Sequence, residues 1–156
     1  MTLRKILSEE LIKIPLESDT KEDVIKEMVD LLNHAHKVSD TKGLLKSILD
    51  REKLMSTGVG DGVAIPHAKA EGIKELVAAF GITKHGIDFQ SIDEKPVRLI
   101  FLLVGPLNQP GPHLKALSRI SRLIHKAEFR KQLIASSSPR EVMNNFVEEE
   151  MKYFDS

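Results

Sequence analysis

The chain has 156 residues, of which 41% are hydrophobic and 29% are charged, and both proportions are ordinary for a globular protein. Lysine plus arginine and aspartate plus glutamate both total 23, so the formal net charge is zero and argues against a general attraction to nucleic acid or to an anionic membrane. Because the sequence has no cysteine, a disulfide framework and thiol chemistry within this chain are excluded.

Features of an exported or membrane-spanning protein are missing from the sequence. The first residues have no apolar core of the kind found in a signal peptide, and the longest apolar runs are too short to cross a bilayer. A length of 156 residues falls in the usual range for one domain. We therefore expect residues 1–156 to form a single domain that works in the cytoplasm.

The first part of the chain predicts a helix. Residues 3–16 contain scattered apolar positions, but Pro15 argues against a long helix there. Thr20 and Asp23 have the spacing of a capping box, with aspartate in place of the usual glutamate or glutamine. From Lys21 onwards the apolar residues recur at helical spacing, namely Val24, Ile25, Met28, Val29, Leu31, Leu32 and Ala35. These patterns predict a helix that begins at Lys21.

A second helix is predicted to begin soon afterwards. Ser39 or Asp40 can act as its N-cap. Its apolar stripe consists of Leu44, Leu45, Ile48 and Leu49. Arg51 lies near the C-terminal end of this helix, where a basic residue is common for structural reasons alone.

Three glycines, Gly58, Gly60 and Gly62, dominate the next stretch. Glycine reaches backbone angles that are closed to other residues, and it allows another group to approach the main chain closely. Ser56 and Thr57 precede the glycines and offer hydroxyl and backbone N–H groups that can hold an anion. The stretch is therefore a candidate anion-binding turn, although a plain surface turn also fits.

A stiff apolar segment follows the glycines and presents one histidine. Residues 63–65 are apolar, and Pro66 biases the residue before it towards an extended conformation. His67 comes directly after Pro66, so its imidazole is held in a defined direction. The order of elements fits neither a dinucleotide-binding motif nor a P-loop. A phosphoryl group carried on His67 is the functional interpretation, and a structural histidine is the alternative.

Strands are predicted in the middle of the chain. Residues 76–82 and 97–104 are nearly continuous apolar runs, as found in strands that helices cover on both faces. Between them, residues 86–90 alternate in polarity and predict an edge or half-exposed strand.

The C-terminal part predicts three further helices. Residues 108–111 have turn chemistry, and Pro112 suits the first turn of the helix that follows. A short helix is predicted at 128–135. Ser138 as N-cap, with Glu141 at the third helical position, predicts the start of the last helix. This alternation of helices and strands predicts one α/β domain with a central sheet between helices.

The remaining histidines have ordinary explanations. His34 and His36 are two residues apart on a helix and do not face each other, so they do not form a metal-binding pair. His85 is predicted in a turn, and His125 near a helix C-terminus, where histidine is favourable without any catalytic role. We expect no bound metal.

The stretch from Arg51 to Lys69 reads Arg-Glu-x-x-x-Ser-Thr-Gly-x-Gly-x-Gly-x-Ala-Ile-Pro-His-x-Lys. It resembles the signature of the fructose/mannitol-type IIA components of the bacterial phosphoenolpyruvate-dependent sugar phosphotransferase system, a family that includes nitrogen-regulatory IIA proteins. The similarity continues through residues 89–93, 96–97 and 113–117 and covers nearly the whole chain. The resemblance implies a three-layer fold with a mixed five-stranded sheet flanked by helices.

The resemblance also implies roles for individual residues. His67 would be the nucleophile that carries the phosphoryl group, and His113 would lie beside it as a hydrogen-bond donor or orienting group. Arg51 would stabilise phosphate charge, for which its planar fork is better suited than lysine. Ser56 and Thr57 would contact the phosphate. No cofactor is implied.

The partners implied by the resemblance are proteins. The donor would be an HPr-type phosphocarrier protein or its nitrogen-branch paralogue, and the acceptor would be a IIB domain or subunit with a reactive cysteine. One hypothesis is a phosphotransferase relay subunit for uptake of fructose, mannitol or a related sugar. The other is a regulatory IIA protein whose phosphorylation state controls binding to other proteins. Neither implies contact with nucleic acid or insertion into a membrane.

Overall fold

The structure is a computed structural model that describes residues 2–154, so residues 1, 155 and 156 of the expected domain lie outside the described range. Within that range the chain forms five α-helices and six β-strands. The helices are α1 (Lys21–His34), α2 (Thr41–Leu54), α3 (Pro110–Ile124), α4 (Ala127–Ile134) and α5 (Pro139–Phe154). The strands are β1 (Ile12–Leu16), β2 (Gly58–Gly60), β3 (Val63–Ala64), β4 (His67–Lys69), β5 (Val77–Ile87) and β6 (Val97–Gly105).

Strand β6 lies in the middle of a mixed sheet. It pairs antiparallel with β5 and parallel with both β3 and β4, while β1 extends the sheet beyond β5 and β2 extends it beyond β3. Residues 99–104 of β6 are at most 1% exposed, so helices cover both faces of the strand. Helices α1 and α2 form one packed group, and α3, α4 and α5 form the other. The predicted α/β sandwich is confirmed.

The sheet has six strands rather than the five implied by the resemblance, and Pro66 explains the difference. Val63 pairs with Leu99 and His67 pairs with Leu103, so β3 and β4 keep the same register along β6. Between them Pro66 has no N–H to give to the ladder, although its carbonyl accepts a hydrogen bond of 3.0 Å from the Leu103 amide. The two short strands are thus one strand interrupted at the proline.

Both long apolar runs form strands, and one strand is longer than predicted. The run at 97–104 lies in β6, and the run at 76–82 lies in β5 except for its first residue, since β5 begins at Val77. The prediction of a separate strand at 86–90 is wrong, because β5 continues through an irregularity in its register as far as Ile87. The same continuation places His85 in β5 rather than in a turn.

The N-terminal region contains a strand that the sequence analysis missed. Two short 3-10 turns, Leu3–Lys5 and Glu9–Leu11, precede β1, which pairs parallel with β5. Pro15 lies within β1. Because β1 is the last strand on its side of the sheet, a residue without an N–H is tolerated there. The prediction that no long helix forms in residues 3–16 is confirmed.

Three predicted helix starts are confirmed by their caps. The Thr20 hydroxyl accepts from the amide of Asp23 at 3.2 Å, and α1 begins at Lys21. Asp40, rather than Ser39, caps α2, since its carboxylate accepts from the Gly43 amide at 2.9 Å. At α5 the Ser138 hydroxyl accepts from the amide three residues later at 3.1 Å. Each cap satisfies an amide that the helix itself leaves unpaired.

An aromatic cluster holds the C-terminal helices on the sheet. Phe146 of α5 lies 5.1 Å from Phe80 of β5 and 5.6 Å from Phe101 of β6 between ring centroids, with the rings nearly perpendicular. Phe129 of α4 packs on Phe146 in the same way, at 5.3 Å. Across residues 2–154, no helix combines the length and apolar character needed to cross a membrane.

Candidate active site

His67 is the first residue of β4 and is half-buried. Its backbone position is fixed by pairing with Leu103 and by the Pro66 carbonyl, which accepts from the Leu103 amide. The segment that the sequence analysis described as stiff is therefore held by the central strand on one side. The imidazole projects from a rigid element rather than from a free loop.

A hydrogen bond to its own backbone segment defines the tautomer of His67. Nδ1 lies 2.8 Å from the carbonyl oxygen of Ile65. A carbonyl oxygen only accepts hydrogen bonds, so Nδ1 must carry the proton in this contact. In the neutral ring the lone pair is then on Nε2. The nitrogen available for nucleophilic attack is therefore Nε2.

His113 lies beside His67, as the resemblance implied. It belongs to the first turn of α3, and the two ring centroids are 5.8 Å apart at an angle of 59°. The ring is 5% exposed. Burial lowers the pKa of His113 from 6.5 to about 4, and the charges of His67 and Lys69 act in the same direction. His113 is thus neutral at pH 7.

The end of β6 shapes the space around His113. A Cβ atom on Gly105 would lie 3.2 Å from Nδ1 of His113 and 3.1 Å from a methyl carbon of Leu76. Among the described contacts, this Nδ1 is buried without a hydrogen-bond partner. Glycine at this position lets the imidazole pack closely on the strand end.

Arg51 is in the last turn of α2, as predicted. Its Nη1 donates a hydrogen bond of 2.9 Å to the carbonyl of Met55. This bond uses one of the five N–H donors of the guanidinium. The structure brings His67 and His113 together, whereas the described hydrogen bond of Arg51 is to the end of its own helix and not to either imidazole.

Ser56 and Thr57 make hydrogen bonds within the protein. The Ser56 hydroxyl donates to the Phe89 carbonyl and accepts from the Gly58 amide at 3.0 Å. The Thr57 hydroxyl donates to the carboxylate of Glu52, and the Thr57 amide lies 3.2 Å from both oxygens of the same carboxylate. A role of these two residues as phosphate contacts stays a prediction, and it requires these bonds to be exchanged.

The chain segment after β5 packs closely against the glycine stretch. Such a close approach is what the glycines were expected to allow. A Cβ atom on Gly58 would lie 2.3 Å from the hydroxyl oxygen of Ser91. The amide of Ile92 donates to the Gly58 carbonyl at 3.2 Å, and the carboxylate of Asp93 accepts from the Asp61 amide at 3.0 Å. Residues 89–93, which belong to the second part of the resemblance, thus fold back onto the first part.

Two charged residues at the site were missed by the sequence analysis. Glu52 is 7% exposed, and its carboxylate lies 2.7 Å from the ammonium group of Lys21. Lys21 also donates to the Phe89 carbonyl at 3.3 Å. The sequence signal was the glutamate that follows Arg51, but its partner lies in the first turn of α1.

Three other histidines belong to elements or turns that do not carry the pair or lie at the far end of α3. His34 ends α1, His36 follows it with a φ of 58°, and His125 is the C-cap of α3. Within the described part of the chain, no group of three or more His, Cys, Asp or Glu residues is arranged to hold a metal ion.

Comparison with known proteins gives a consistent family match. Residues 5–149 match the family model described as phosphoenolpyruvate-dependent sugar phosphotransferase system, EIIA 2. The chain is 41% identical over 138 residues to the fructose-specific EIIABC component of the phosphotransferase system of Bacillus subtilis, which covers 88% of this chain and 22% of that protein. It is 36% identical over 141 residues to a nitrogen regulatory protein of Bradyrhizobium diazoefficiens, with 87% of this chain and 88% of that protein covered. The chain therefore spans less than a quarter of the Bacillus protein and most of the Bradyrhizobium protein.

Solved structures show the same fold. The nitrogen regulatory protein IIA-Ntr from Neisseria meningitidis is 34% identical and superposes with a TM-score of 0.85, covering 91% of this chain and 97% of that chain. The enzyme IIA of the mannitol system from Escherichia coli, solved in complex with its phosphorylated enzyme IIB, is 21% identical with a TM-score of 0.78, covering 91% and 97%. The second similarity concerns the fold alone.

The buried imidazole of His113 makes protein stability depend on pH. Because its native pKa, about 4, is below the ordinary value of 6.5, the unfolded state binds the proton first as the pH falls. The stability contributed by the neutral ring is therefore complete above about pH 6.5 and declines towards about pH 4. His113→Gln removes this decline. We expect the free energy of unfolding of the wild type, relative to the variant, to fall by at most about 3 kcal/mol over this range.

Denaturant unfolding of both proteins at a series of pH values measures this difference. His125→Gln, which removes an exposed imidazole at the end of α3, is the matched control. A constant difference in stability between the wild type and His113→Gln across the acidic range would contradict the assignment of a buried, neutral ring.

Proposed function

The chain belongs to the EIIA 2 family of the phosphoenolpyruvate-dependent sugar phosphotransferase system, and on that premise we propose that it relays a phosphoryl group on Nε2 of His67. The observation that carries this proposal is the hydrogen bond from Nδ1 of His67 to the Ile65 carbonyl, because it leaves the lone pair on Nε2. A neutral, oriented imidazole is a suitable nucleophile near pH 7. A relay fed from phosphoenolpyruvate would work in the cytoplasm.

The proposed reaction has two transfers. In the first, the Nε2 lone pair forms a bond to the phosphorus of an HPr-type phosphohistidine while the N–P bond of the donor breaks and the donor imidazole leaves. In the second, the thiolate of a IIB cysteine attacks the phosphorus, an S–P bond forms, and the N–P bond to His67 breaks. Nδ1 keeps its proton throughout, so the leaving imidazole is neutral once Nε2 is released.

Charge stabilisation would come from two neighbouring side chains. The transition state spreads negative charge over the equatorial phosphoryl oxygens. His113 is neutral at pH 7, so it can donate an N–H without adding a fixed charge beside His67. Arg51 has N–H donors beyond the one used by Met55, and its planar fork matches two phosphoryl oxygens. A phosphate contact by Arg51 requires its side chain to turn from the helix end to the site.

Exposed apolar side chains support a protein, rather than a small molecule, as the partner. Leu54 and Met55 follow Arg51, Leu107 lies between β6 and α3, and Leu114 follows His113 in sequence. These four side chains are 83%, 71%, 57% and 69% exposed, respectively. All four come from segments that carry or flank the predicted site residues, and apolar side chains exposed together are typical of protein contacts. An HPr-type donor and a IIB acceptor are the partners that the proposed relay needs.

Two biological settings fit this chemistry. The similarity to a fructose-specific EIIABC component favours uptake of fructose, mannitol or a related sugar. The similarity to nitrogen regulatory proteins, including IIA-Ntr with a TM-score of 0.85, supports a regulatory protein whose phosphorylation controls its binding to other proteins. Transfer from the phosphorylated chain to a panel of IIB domains separates them, because only a sugar relay passes its phosphoryl group to one of them rapidly.

His67→Ala should abolish phosphorylation by a phosphorylated HPr-type protein. The variant should fold normally, because the side chain is half-buried and β4 is held by its backbone pairing with β6. His113→Ala is the comparison variant and should still accept phosphate at His67, with onward transfer slowed on the order of 10²-fold if His113 acts like an oxyanion-type donor. Radiolabel transfer from phosphoenolpyruvate through purified carrier proteins measures both. Full labelling of His67→Ala would overturn the choice of nucleophile.

Arg51→Lys tests whether Arg51 stabilises the phosphoryl group or only the C-terminal end of α2. Lysine keeps the charge near the C-terminus of α2 but loses the bidentate fork. We expect normal thermal unfolding and single-turnover transfer reduced by about tenfold or more, with Arg51→Ala slower still. Lys53→Ala, an exposed basic residue in the same last turn, is the control. Normal transfer in both Arg51 variants would assign the side chain to the helix end alone.

A further inference from the structure

We infer that Glu52 is a positioning residue for His67, acting through a continuous chain of hydrogen bonds that passes through Thr57 and Ile65. The inference rests on the proposed function only for the role of His67 as the residue that carries the phosphoryl group. The chain itself is a feature of the unphosphorylated protein, so it can be tested without any phosphoryl transfer.

The first link is the buried ion pair between Glu52 and Lys21. The side chain of Glu52 is 4% exposed, and the ammonium group of Lys21 lies 2.7 Å from its carboxylate. Lys21 is fixed in turn, since it donates to the Phe89 carbonyl at 3.3 Å and lies 5.0 Å from the centroid of the Phe89 ring. An ionised carboxylate is acceptor-only and is costly to bury unless its oxygens are paired. Glu52 is therefore held in one position from the side of α1.

The second link joins this carboxylate to the backbone of the glycine stretch. The Thr57 hydroxyl donates to Glu52, and the Thr57 amide lies 3.2 Å from each carboxylate oxygen. Thr57 is 4% exposed, so these donors have no ready access to water as an alternative. Hydrogen bonds to a charged acceptor are stronger than those between neutral groups. The amide and hydroxyl of Thr57 are thus both oriented by a charge.

The last two links run from Thr57 to the imidazole. The carbonyl of Thr57 accepts from the Ile65 amide at 3.0 Å. The carbonyl of Ile65 accepts from Nδ1 of His67 at 2.8 Å. Ile65 lies between β3 and β4, and its amide points away from β6, since the carbonyls of Gly62 and Pro66 accept from β6 amides whereas the Ile65 amide donates to Thr57. Thr57 is thus the backbone partner that holds Ile65 on the side opposite β6.

The consequence concerns both the direction and the tautomer of His67. The Ile65 carbonyl must point at Nδ1 for the proton to stay on that nitrogen and the lone pair on Nε2. If Ile65 rotates, Nε2 can carry the proton and the nucleophile is lost in that fraction of molecules. Glu52 is remote from the ring, yet it selects the reactive tautomer through the two intervening residues. This role also accounts for the burial of Thr57.

A structural role alone is the alternative, and the fold offers a matched control for it. Glu150 is 2% exposed, pairs with Arg119 at 2.6 Å and accepts from the Leu3 amide at 2.8 Å. It is therefore another buried glutamate that combines an ion pair with a backbone amide. Glu150 lies on α5 and has no described link to His67. Loss of either carboxylate should destabilise the fold, but only loss of Glu52 should alter the imidazole.

The experiment compares Glu52→Gln with Glu150→Gln in the full chain labelled with ¹⁵N-histidine. Nitrogen chemical shifts of the rings report the tautomer of His67 directly. We expect the wild type and Glu150→Gln to show Nδ1–H, and Glu52→Gln to show a mixture of both tautomers. Single-turnover phosphorylation should slow about tenfold in Glu52→Gln, as expected for weakening of one hydrogen bond, and should not change in Glu150→Gln.

Thr57→Val supplies a milder version of the same test if Glu52→Gln fails to fold. It removes the hydrogen bond from the Thr57 hydroxyl to Glu52 with little change in side-chain volume. Its effect on the tautomer of His67 can be measured without any phosphoryl transfer. A His67 tautomer identical to that of the wild type in Thr57→Val and in any folded Glu52→Gln would overturn the inference. If wild-type protein accepts no phosphoryl group, the proposed function fails, whereas the nitrogen shifts still decide the role of Glu52.

Discussion

The interruption of a strand at Pro66 is the constraint on which the candidate site depends. A proline cannot donate to the sheet, so the ladder along β6 is broken at the point where His67 must be placed. The register of β3 and β4 is nevertheless the same on both sides of the break. Ile65, the residue before the proline, has its backbone groups turned away from β6: its amide donates to the Thr57 carbonyl and its carbonyl accepts from Nδ1 of His67. The Ile65 carbonyl is therefore available as an acceptor for the imidazole.

Burial determines the charge of His113 and therefore the charge of the histidine pair. With two imidazoles 5.8 Å apart, a proton on one would disfavour a proton on the other. Burial resolves this for His113 by lowering its pKa to about 4, so at neutral pH it is an uncharged neighbour. In the proposed relay, positive charge for the incoming phosphoryl group would come from Arg51, whose side chain would have to turn from the end of α2 to the site. Division of these roles between a neutral donor and a cation would suit a group that must be bound and then released.

Features that depend on neighbouring residues in the chain were predicted from the sequence. The capped starts of α1, α2 and α5, the apolar strands β5 and β6, and the stiff segment before His67 all follow from local rules. Features that depend on distant residues were not. The strand β1 was missed because Pro15 is acceptable only at a sheet edge, and the edge is a property of the whole sheet.

The same distinction applies to the candidate site. The resemblance placed His113 beside His67, but its lowered pKa is a result of burial, which the sequence does not display. Thr57 is a predicted phosphate contact because its hydroxyl precedes a glycine stretch, but the sequence did not show that this hydroxyl donates to Glu52. The partner of Glu52, Lys21, lies in a separate helix and is recognised only in the folded protein.

The central claim is that Nε2 of His67 carries the phosphoryl group while Nδ1 keeps its proton. Nuclear magnetic resonance of the phosphorylated protein, labelled with ¹⁵N in its histidines, tests this most directly, because phosphorus–nitrogen coupling identifies the bonded atom. We expect coupling of phosphorus to Nε2 of His67, with Nδ1 still protonated towards the Ile65 carbonyl. Coupling to Nδ1 of His67, or to a nitrogen of another histidine, would contradict it.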